Sequence, residues 1–302
     1  MQGSKLSITS LTLLLFCTLI WASTFPFLKL GLDYIKPITF ATLRFIIACI
    51  PVMLFLALKY GKEIFKHSKG EWSIFISFGF FSIAFPSIIQ NYGMLHTTAS
   101  VSSILQTVGP VLTIILAIAI LREPFGWKKR VGAVLAMVGA FMIATEGGIT
   151  FQGATVYGNV LQLLTAFSYA ISGIIAKIAL KRQDPVVFAG TGIFTGTLLL
   201  IPPTFIEPVG EILILPLKAW AIVIYLGTIS GVLPFVIWYI VLQKQELSKQ
   251  VYFVFLIPVF ATMMSYFMIG EKISVLTAVF TVLIILGIAI AQFEKAKPKR
   301  RE

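Results

Sequence analysis

Charged side chains are scarce in this sequence, and acidic ones are scarcer than basic ones. Only 12 % of the 302 residues are charged, with 12 Asp and Glu against 24 Lys and Arg. Soluble domains carry about 25 % charged residues. A soluble fold of this length could not bury a composition that is 58 % hydrophobic. The shortage of charge therefore excludes a soluble protein.

Cysteine and histidine are nearly absent, with two of each. Cys17 and Cys49 lie inside apolar runs, so we expect no disulfide framework, and no Cys/His group has the spacing of a metal site. The sequence contains no HExxH motif, no GxSxG nucleophile elbow and no Walker loop. We therefore predict no enzymatic activity, no cofactor and no metal.

Long apolar runs are what the sequence has in excess. Each is long enough, at about 18 residues or more, to cross a hydrocarbon core as a helix. Runs of this length without interruption exclude membrane strands. The sequence thus predicts an all-α integral membrane protein with ten transmembrane helices. These fit approximately 7–30, 37–58, 72–92, 98–121, 127–145, 156–180, 185–205, 218–241, 247–269 and 273–293.

The chain repeats itself at a constant offset. The stretch from Pro110 to Glu123 matches the stretch from Pro258 to Glu271, which lies 148 residues later. Five helices per half is an odd number, so the second half must cross the membrane in the opposite direction. We predict two inverted five-helix repeats, residues 7–145 and 156–293, followed by a basic cytoplasmic tail, residues 294–302. The same register pairs Trp21 with Tyr169, Lys29 with Lys177, Pro37 with Pro185, Phe40 with Phe188, Trp72 with Trp220, Pro86 with Pro234 and Gly139 with Gly287.

Basic residues collect on one side of the predicted bundle. The loops and termini of that side carry 18 Lys and Arg, and the opposite side carries 3. Positive residues are retained on the cytoplasmic side. We therefore predict a multi-pass protein of the cell membrane with both termini in the cytoplasm. The formal charge of +12 is attributed to this orientation and not to a nucleic-acid partner.

Two kinds of cation lie inside or at the ends of the predicted helices. Arg44 lies about seven residues, or ~10 Å, into the second helix. A buried Arg indicates a functional site by default, although it can also snorkel and anchor the helix. Lys29 ends the first helix, where its ammonium could meet a substrate carboxylate or the terminal carbonyls of its own helix. Both interpretations stay open for each residue.

Acidic side chains are lacking at depth. Glu123 and Glu271 end their helices, and we expect them to be solvated or paired with cations. Transmembrane proton relays need a buried Asp, Glu or His. The sequence therefore favours facilitated movement or exchange over proton coupling.

Prolines interrupt several of the apolar runs and are expected to free carbonyls and bend helices. Corresponding interrupted helices in two repeats indicate a transporter binding site. Gln106 lies one turn before a proline, which makes it a candidate contact. The predicted kinks are at Pro26, Pro86, Pro110, Pro234 and Pro258.

The segment Trp21-Ala-Ser-Thr-Phe-Pro-Phe-Leu-Lys29, with Pro37 and Leu-Arg44-Phe after it, resembles the opening of the EamA domain. Ala99 followed by Pro110 and Leu-Arg-Glu123, and then Trp127 and Gly132/Gly139, is similar to its continuation. The second half repeats these features more loosely. The chain departs from the family in having Ala22 where Gly is common, and Gly192 where the first half has Arg44.

This resemblance implies the drug/metabolite transporter superfamily, whose members are ten-helix exporters with two inverted repeats around a central cavity. Known members move amino acids, nucleosides, vitamins, S-adenosylmethionine or drugs. The family places helices 1, 3, 4, 6, 8 and 9 around the cavity. This placement selects Trp21, Phe25, Asn91, Gln106, Tyr169, Trp238, Tyr239, Tyr252 and Phe253 as substrate-binding candidates, to which Arg44 is added for its depth.

Our leading hypothesis is a transporter that exports or exchanges small organic metabolites, with amino acids as the favoured class. Neutral and aromatic side chains suit zwitterionic or amphipathic substrates, and a cation could bind a carboxylate. Export of a drug or flipping of a lipid-linked group is the alternative, and a membrane-embedded enzyme is a third. The expected partners are a small-molecule substrate and the lipid bilayer, and the sequence is compatible with a monomer.

Overall fold

The structure is a computed structural model, which describes residues 8–61, 68–109, 111–113, 115–116, 127–145, 147, 154–244, 254 and 256–292. All regular elements of these residues are helical. The α-helices are α1 (Ile8–Gly31), α2 (Pro37–Tyr60), α3 (Lys69–Gly79), α4 (Phe85–His96), α5 (Ala99–Gln106), α6 (Trp127–Ala144), α7 (Ala154–Ala179), α8 (Pro185–Thr204), α9 (Leu217–Ile224), α10 (Leu233–Lys244), α11 (Ile257–Ile269) and α12 (Val275–Gln292).

Within the described residues, six apolar spans are long enough to cross a membrane. This length and composition confirm the prediction of an all-α membrane protein. Three shorter apolar helices, Arg130–Ala144, Ile257–Ile269 and Val275–Gly287, accompany them. The count of ten spans and the inverted repeats stay predictions. The six spans are Thr12–Gly31, Pro37–Tyr60, Lys69–His96, Thr155–Ala179, Pro185–Thr204 and Leu217–Trp238.

Two of these spans contain a π-helical turn that ends within four residues of a proline. The π turn Phe80–Ala84 connects α3 to α4, and Pro86 follows it. The π turn Tyr225–Ser230 follows α9, and Pro234 lies in the first turn of α10. Proline has no amide proton and its ring clashes with the carbonyl four residues earlier. A wider turn relieves that clash, so a proline in the sequence explains both π turns.

The other prolines at which kinks were predicted do not follow a π turn in the described residues. Pro26 is buried inside the continuous helix α1. Pro258 lies in the first turn of α11, where a missing amide proton costs little. Pro110 lies outside the described residues.

Glycines permit close crossings between the first half of the chain (α1–α6) and the second half (α7–α12). A Cβ on Gly79 of α3 would lie 2.5 Å from the backbone nitrogen of Gly196 on α8. A Cβ on Gly287 of α12 would lie 2.6 Å from the carbonyl oxygen of Gly132 on α6. Small residues allow helix backbones to approach in this way in a membrane. The two halves are therefore packed together without intervening side chains at these points.

Helix α1 lies among helices of the opposite half. It packs against α10 and α11, and against the π turn before α10. Ser23 shares a hydrogen bond of 2.6 Å with the Tyr225 hydroxyl, and Thr24 shares one with the Ser230 hydroxyl. Both pairs connect α1 to the π turn Tyr225–Ser230. The widened turn is thus fixed to the other half by hydroxyl groups.

Candidate functional site

Arg44 is a buried cation on α2 without a matching anion among the described residues. Its side chain is 8 % exposed. Two of its nitrogens, Nε and Nη1, are buried and have no hydrogen-bond partner in the described part of the chain. Its guanidinium carbon lies 4.6 Å from the ring centroid of Phe45. Arg44 therefore does not snorkel to the surface in this conformation.

The backbone around Arg44 is tightly packed. A Cβ on Gly227 would lie 2.6 Å from the Arg44 carbonyl oxygen, so the π turn Tyr225–Ser230 touches α2 there. The Thr197 hydroxyl of α8 donates a hydrogen bond of 3.2 Å to the carbonyl of Phe45. Tyr169 of α7 lies within electrostatic reach of the guanidinium. Elements of both halves thus surround one cation.

Lys29 binds carbonyls at a helix end, as one of its two interpretations expected, but that end belongs to another helix. Its ammonium donates hydrogen bonds to the carbonyls of Met94, at 2.6 Å, and Thr97, at 2.8 Å. These carbonyls lie at the C-terminal end of α4, not of Lys29's own helix. The amino group is available to a neighbour because α1 and α4 end side by side. Lys177, its repeat counterpart, is exposed near the end of α7.

Glu271 was predicted to be solvated or paired with a cation, but in the structure it also binds the start of a helix. Its carboxylate accepts hydrogen bonds from the amides of Ala99 and Ser100, at 2.8 and 3.0 Å, and from the Ser100 hydroxyl. These groups form the first turn of α5, whose amides have no intrahelical acceptor. Glu271 is therefore a cap for a helix of the other half. Glu123, its repeat counterpart, lies outside the described residues.

Glu207 has the same role for α2, and the sequence analysis did not single it out. Its carboxylate accepts hydrogen bonds from the amides of Ile38 and Thr39, at 3.0 and 2.7 Å. The Thr39 hydroxyl donates to it at 2.8 Å, and the Tyr92 hydroxyl at 3.3 Å. Glu207 follows α8, so this contact also joins the two halves.

The sequence signalled that the start of α2 lacks a cap of its own. Asp184, before Pro185, accepts hydrogen bonds from the first amides of α8. The equivalent residue before Pro37 is Lys36, whose side chain makes no cap. A helix start without a capping residue indicates a partner from elsewhere. The position of that partner in the sequence had no comparable signal.

Trp21 and Trp238 are in contact. Their ring centroids are 5.2 Å apart, and Trp21 also meets Phe235 edge to face at 5.9 Å. Both tryptophans are half-buried. Phe25 is 6 % exposed and belongs to an apolar cluster that includes Leu28 and Phe40. The two tryptophans thus form a half-buried aromatic pair, and their contact with a substrate stays a prediction, whereas Phe25 packs in the core.

Gln106 belongs to a separate polar cluster. Its amide nitrogen donates to Oε1 of Gln162 at 2.9 Å, and the Ser102 hydroxyl donates to the same oxygen at 2.8 Å. Gln162 in turn donates to the carbonyl of Gln90. Gln162 is fully buried, and Gln106 is half-buried. This network connects α5, α7 and α4.

Asn91 is buried and binds the start of α2. Its amide nitrogen donates to the Pro37 carbonyl at 2.9 Å, and its Oδ1 has no partner among the described residues. Of the remaining candidates, Tyr252 and Phe253 lie outside the described residues, as does the side chain of Tyr239.

An apolar groove lies between α5, α11 and α12. Its volume is about 320 Å³, and of the predicted site residues it includes only Pro258. The groove is open on one side. Its other lining residues are Ile104, Val259, Thr262, Met263, Ile273, Ala278 and Thr281.

Several apolar spans and buried polar side chains between them define an integral membrane protein that crosses the bilayer several times. The chain matches the EamA-like transporter family over residues 8–145 and again over residues 156–292. It therefore belongs to the EamA-like transporter family.

Relatives of similar length carry transporter names. The chain is 25 % identical over 277 residues to an uncharacterized transporter of Archaeoglobus fulgidus, covering 91 % of this chain and 94 % of that one. It is 24 % identical over 285 residues to a "Probable terminal-alkyne amino-acid exporter" of Streptantibioticus cattleyicolor, covering 93 % and 92 %. It is 23 % identical over 289 residues to a "Probable amino-acid metabolite efflux pump" of Salmonella typhimurium, covering 93 % and 94 %.

A solved structure shares the fold. A crystal structure matches with a TM-score of 0.66 and 19 % sequence identity, over 95 % of this chain and 96 % of that one. At this identity the match supports the fold alone.

Proposed function

We propose that this transporter exports or exchanges small organic metabolites, with amino acids as the favoured class, by alternating access between its two halves. The observation that carries the proposal is the pair of carboxylate caps, Glu207 and Glu271, that join the halves at one end of the bundle. This end carries the turns 31–37, 97–99, 205–217 and 270–274 and is the predicted external end. We take the protein to be in the cell membrane with both termini cytoplasmic.

The chemistry of these contacts suits a gate. Each cap consists of hydrogen bonds between one side chain and the first turn of a helix, and water can replace each of them. Breaking them releases two contacts between the halves at this end without removing any hydrogen bond inside a helix. In inverted-repeat transporters, access alternates as one bundle rocks against the other. The caps would be formed when the predicted external end is closed.

The substrate class is supported by names and by chemistry. Two relatives have names that refer to amino-acid export. The candidate contacts of this chain are neutral or aromatic apart from Arg44, which suits a small zwitterion with a carboxylate. The absence of Asp and Glu from the middle of the predicted helices favours exchange over proton coupling.

Counterflow in proteoliposomes tests this proposal. Vesicles are loaded with an unlabelled pool of L-amino acids, and uptake of each radiolabelled amino acid is measured with and without a pH gradient. We expect uptake of particular amino acids that does not depend on the gradient, and none in protein-free vesicles. Failure of every amino acid would reject this substrate class, and uptake only with a gradient would reject exchange.

The open groove of about 320 Å³ between α5, α11 and α12 favours one alternative. Its lining is mainly apolar, so it could admit an amphiphile from the lipid. Export of a drug or flipping of a lipid-linked group would follow. Competition of counterflow by hydrophobic cations would support this alternative, and unchanged counterflow would reject it. Recovery of chemically unaltered substrate distinguishes both transport hypotheses from a membrane-embedded enzyme.

A further inference from the structure

Lys29 and Arg44 are cations of the first half that are half-buried and buried, respectively, and their surroundings differ. The Lys29 ammonium is bound by two carbonyls at the end of α4. Glu271 is close enough to interact with it electrostatically. Lys29 is therefore accounted for by the packing of helix ends. Arg44 is not.

The buried part of the Arg44 guanidinium lacks hydrogen-bond acceptors among the described residues. Two of its nitrogens are buried and have no acceptor in the part of the chain that the structure describes. A guanidinium is always charged and presents its donors in a planar fork. Burying such a group is unfavourable unless its donors are bound. The Phe45 ring, 4.6 Å away, offers a cation–π contact but accepts no conventional hydrogen bond.

We propose that Arg44 is the carboxylate-binding residue of the substrate site. The ligand it would take is a small organic carboxylate, of which an amino acid is one class, so the inference rests on the proposed function for that class only. A carboxylate matches the guanidinium fork with two parallel charge-assisted hydrogen bonds. The phenol of Tyr169, on α7 of the second half, interacts electrostatically with the guanidinium and would donate to the same anion.

The position of Arg44 links this ligand to alternating access. Its backbone touches Gly227 in the π turn Tyr225–Ser230, and Tyr169 belongs to α7 of the second half. A carboxylate bound between Arg44 and Tyr169 would therefore contact both halves. Entry requires the π turn to move away from α2. This movement would part Gly227 from the Arg44 carbonyl and the Ile47 side chain.

The repeat gives a further reason for function. The counterpart of Arg44 at the 148-residue offset is Gly192 on α8, which packs against the Phe78 ring. Helix packing at this level therefore does not need a charge. Because only one of these two equivalent positions carries a cation, the pair offers one binding site for one anion.

Chemical labelling tests whether a carboxylate reaches Arg44. Purified protein in detergent is treated with phenylglyoxal, and modification of Arg44 is measured by mass spectrometry. The additions compared are a pool of L-amino acids, the matching pool of amino-acid amides, and a pool of lactate, pyruvate and benzoate. The exposed Arg182 serves as an internal control for reagent strength.

We expect carboxylates to protect Arg44 several-fold and the amides to give no protection. Equal protection by acids and amides, no protection by any pool, or an Arg44 that is never labelled would each overturn the proposal. Protection by the simple carboxylates without protection by amino acids would retain the site and reject amino acids as substrates. The two proposals can thus fail separately.

Transport by variants gives a second, independent readout. Arg44→Gln is expected to lower counterflow of the acid about 10- to 100-fold, as loss of a charge-assisted hydrogen-bond pair predicts. Arg44→Lys keeps the charge without the fork and should retain an intermediate preference for acid over amide. Arg182→Gln is the matched surface control. If Arg44→Gln lowered the handling of acids and amides by the same factor, Arg44 would be a structural residue only.

Discussion

The carboxylate of Glu271 holds the first turn of the helix in which Ser100 lies. It accepts hydrogen bonds from the Ser100 amide, at 3.0 Å, and from the Ser100 hydroxyl, at 2.9 Å. The Ala99 amide donates to the same carboxylate at 2.8 Å. Glu271 follows α11, and Ser100 belongs to α5. An ionised side chain of the second half thus stabilises a helix start of the first half, where negative charge is favoured.

Replacing Glu271 with Gln should open this end of the bundle. A Gln side chain presents one oxygen in place of two and carries no charge, so at least one of the three donors loses its acceptor. We expect a loss of about 1–3 kcal/mol in stability and faster hydrogen–deuterium exchange of residues 99–102. Lys272→Gln, an exposed neighbour, is the control. Unchanged exchange in Glu271→Gln would show that the cap is not a closing contact.

In both α2 and α8, the amides of the second and third residues donate to a capping carboxylate, but the carboxylate comes from a different place in each. Asp184 accepts from Val186 and Val187 within its own helix start. Glu207 accepts from Ile38 and Thr39 across the interface between halves. The backbone before the two helices is alike, with φ and ψ of −59° and 147° at Lys36 and −63° and 131° at Asp184.

This likeness permits a rescue experiment. Glu207→Ala should lower the melting temperature, since removal of an N-terminal cap costs about 0.5–2 kcal/mol. Adding Lys36→Asp supplies a cap of the Asp184 type, so the double variant should recover most of the stability. It should not recover the transport rate, because the contact between halves is still missing. Recovery of both would assign Glu207 to helix capping alone.

Lys29 and Arg44 should respond differently to substitution. Lys29→Met removes the donor for the carbonyls of Met94 and Thr97, which should cost about 1–3 kcal/mol of stability. The ratio of acid to amide transport should stay as in the unaltered protein, whereas Arg44→Gln should change it. Thermal melting and counterflow measure the two effects. A changed ratio in Lys29→Met would return Lys29 to the list of substrate contacts.

The sequence predicted the all-helical membrane fold because apolar runs of this length have few other solutions. The predicted repeat register pairs Pro86 with Pro234, and both follow a π turn, while the repeat itself stays a prediction. The depth of Arg44 followed from its distance to Pro37. The sequence did not predict that Phe25 packs into an apolar cluster, because a one-dimensional pattern does not show which face of α1 meets a neighbour.

Contacts between distant segments were beyond reach of the sequence. Glu207 lies 168 residues from Thr39, and Glu271 lies 171 residues from Ser100. Neither pair has a local spacing rule. For Lys29, one interpretation expected its ammonium to bind carbonyls at the end of its own helix. The carbonyls that bind it belong to the end of α4. Which helix ends lie side by side is set by the tertiary packing.

Two glycines offer a matched pair for testing the contact between halves. A Cβ on Gly287 would lie 2.6 Å from backbone atoms of Ala136 and Gly132, which cannot move independently of α6. Among the described residues, a Cβ on Gly173 of α7 would meet the Thr113 side chain alone, at 3.8 Å. Gly287→Ala should therefore destabilise the protein by about 1–3 kcal/mol, since α12 must shift away from α6.

Gly173→Ala should have the opposite sign, because Ala is favoured over Gly in a helix interior by about 1 kcal/mol and the space is open. Melting temperatures of the two variants in detergent measure the difference. Counterflow should fall in Gly287→Ala and stay unchanged in Gly173→Ala if the close α6–α12 crossing holds the halves in register. Equal melting temperatures would show that α6 and α12 can separate without loss, and that the fold is held together elsewhere.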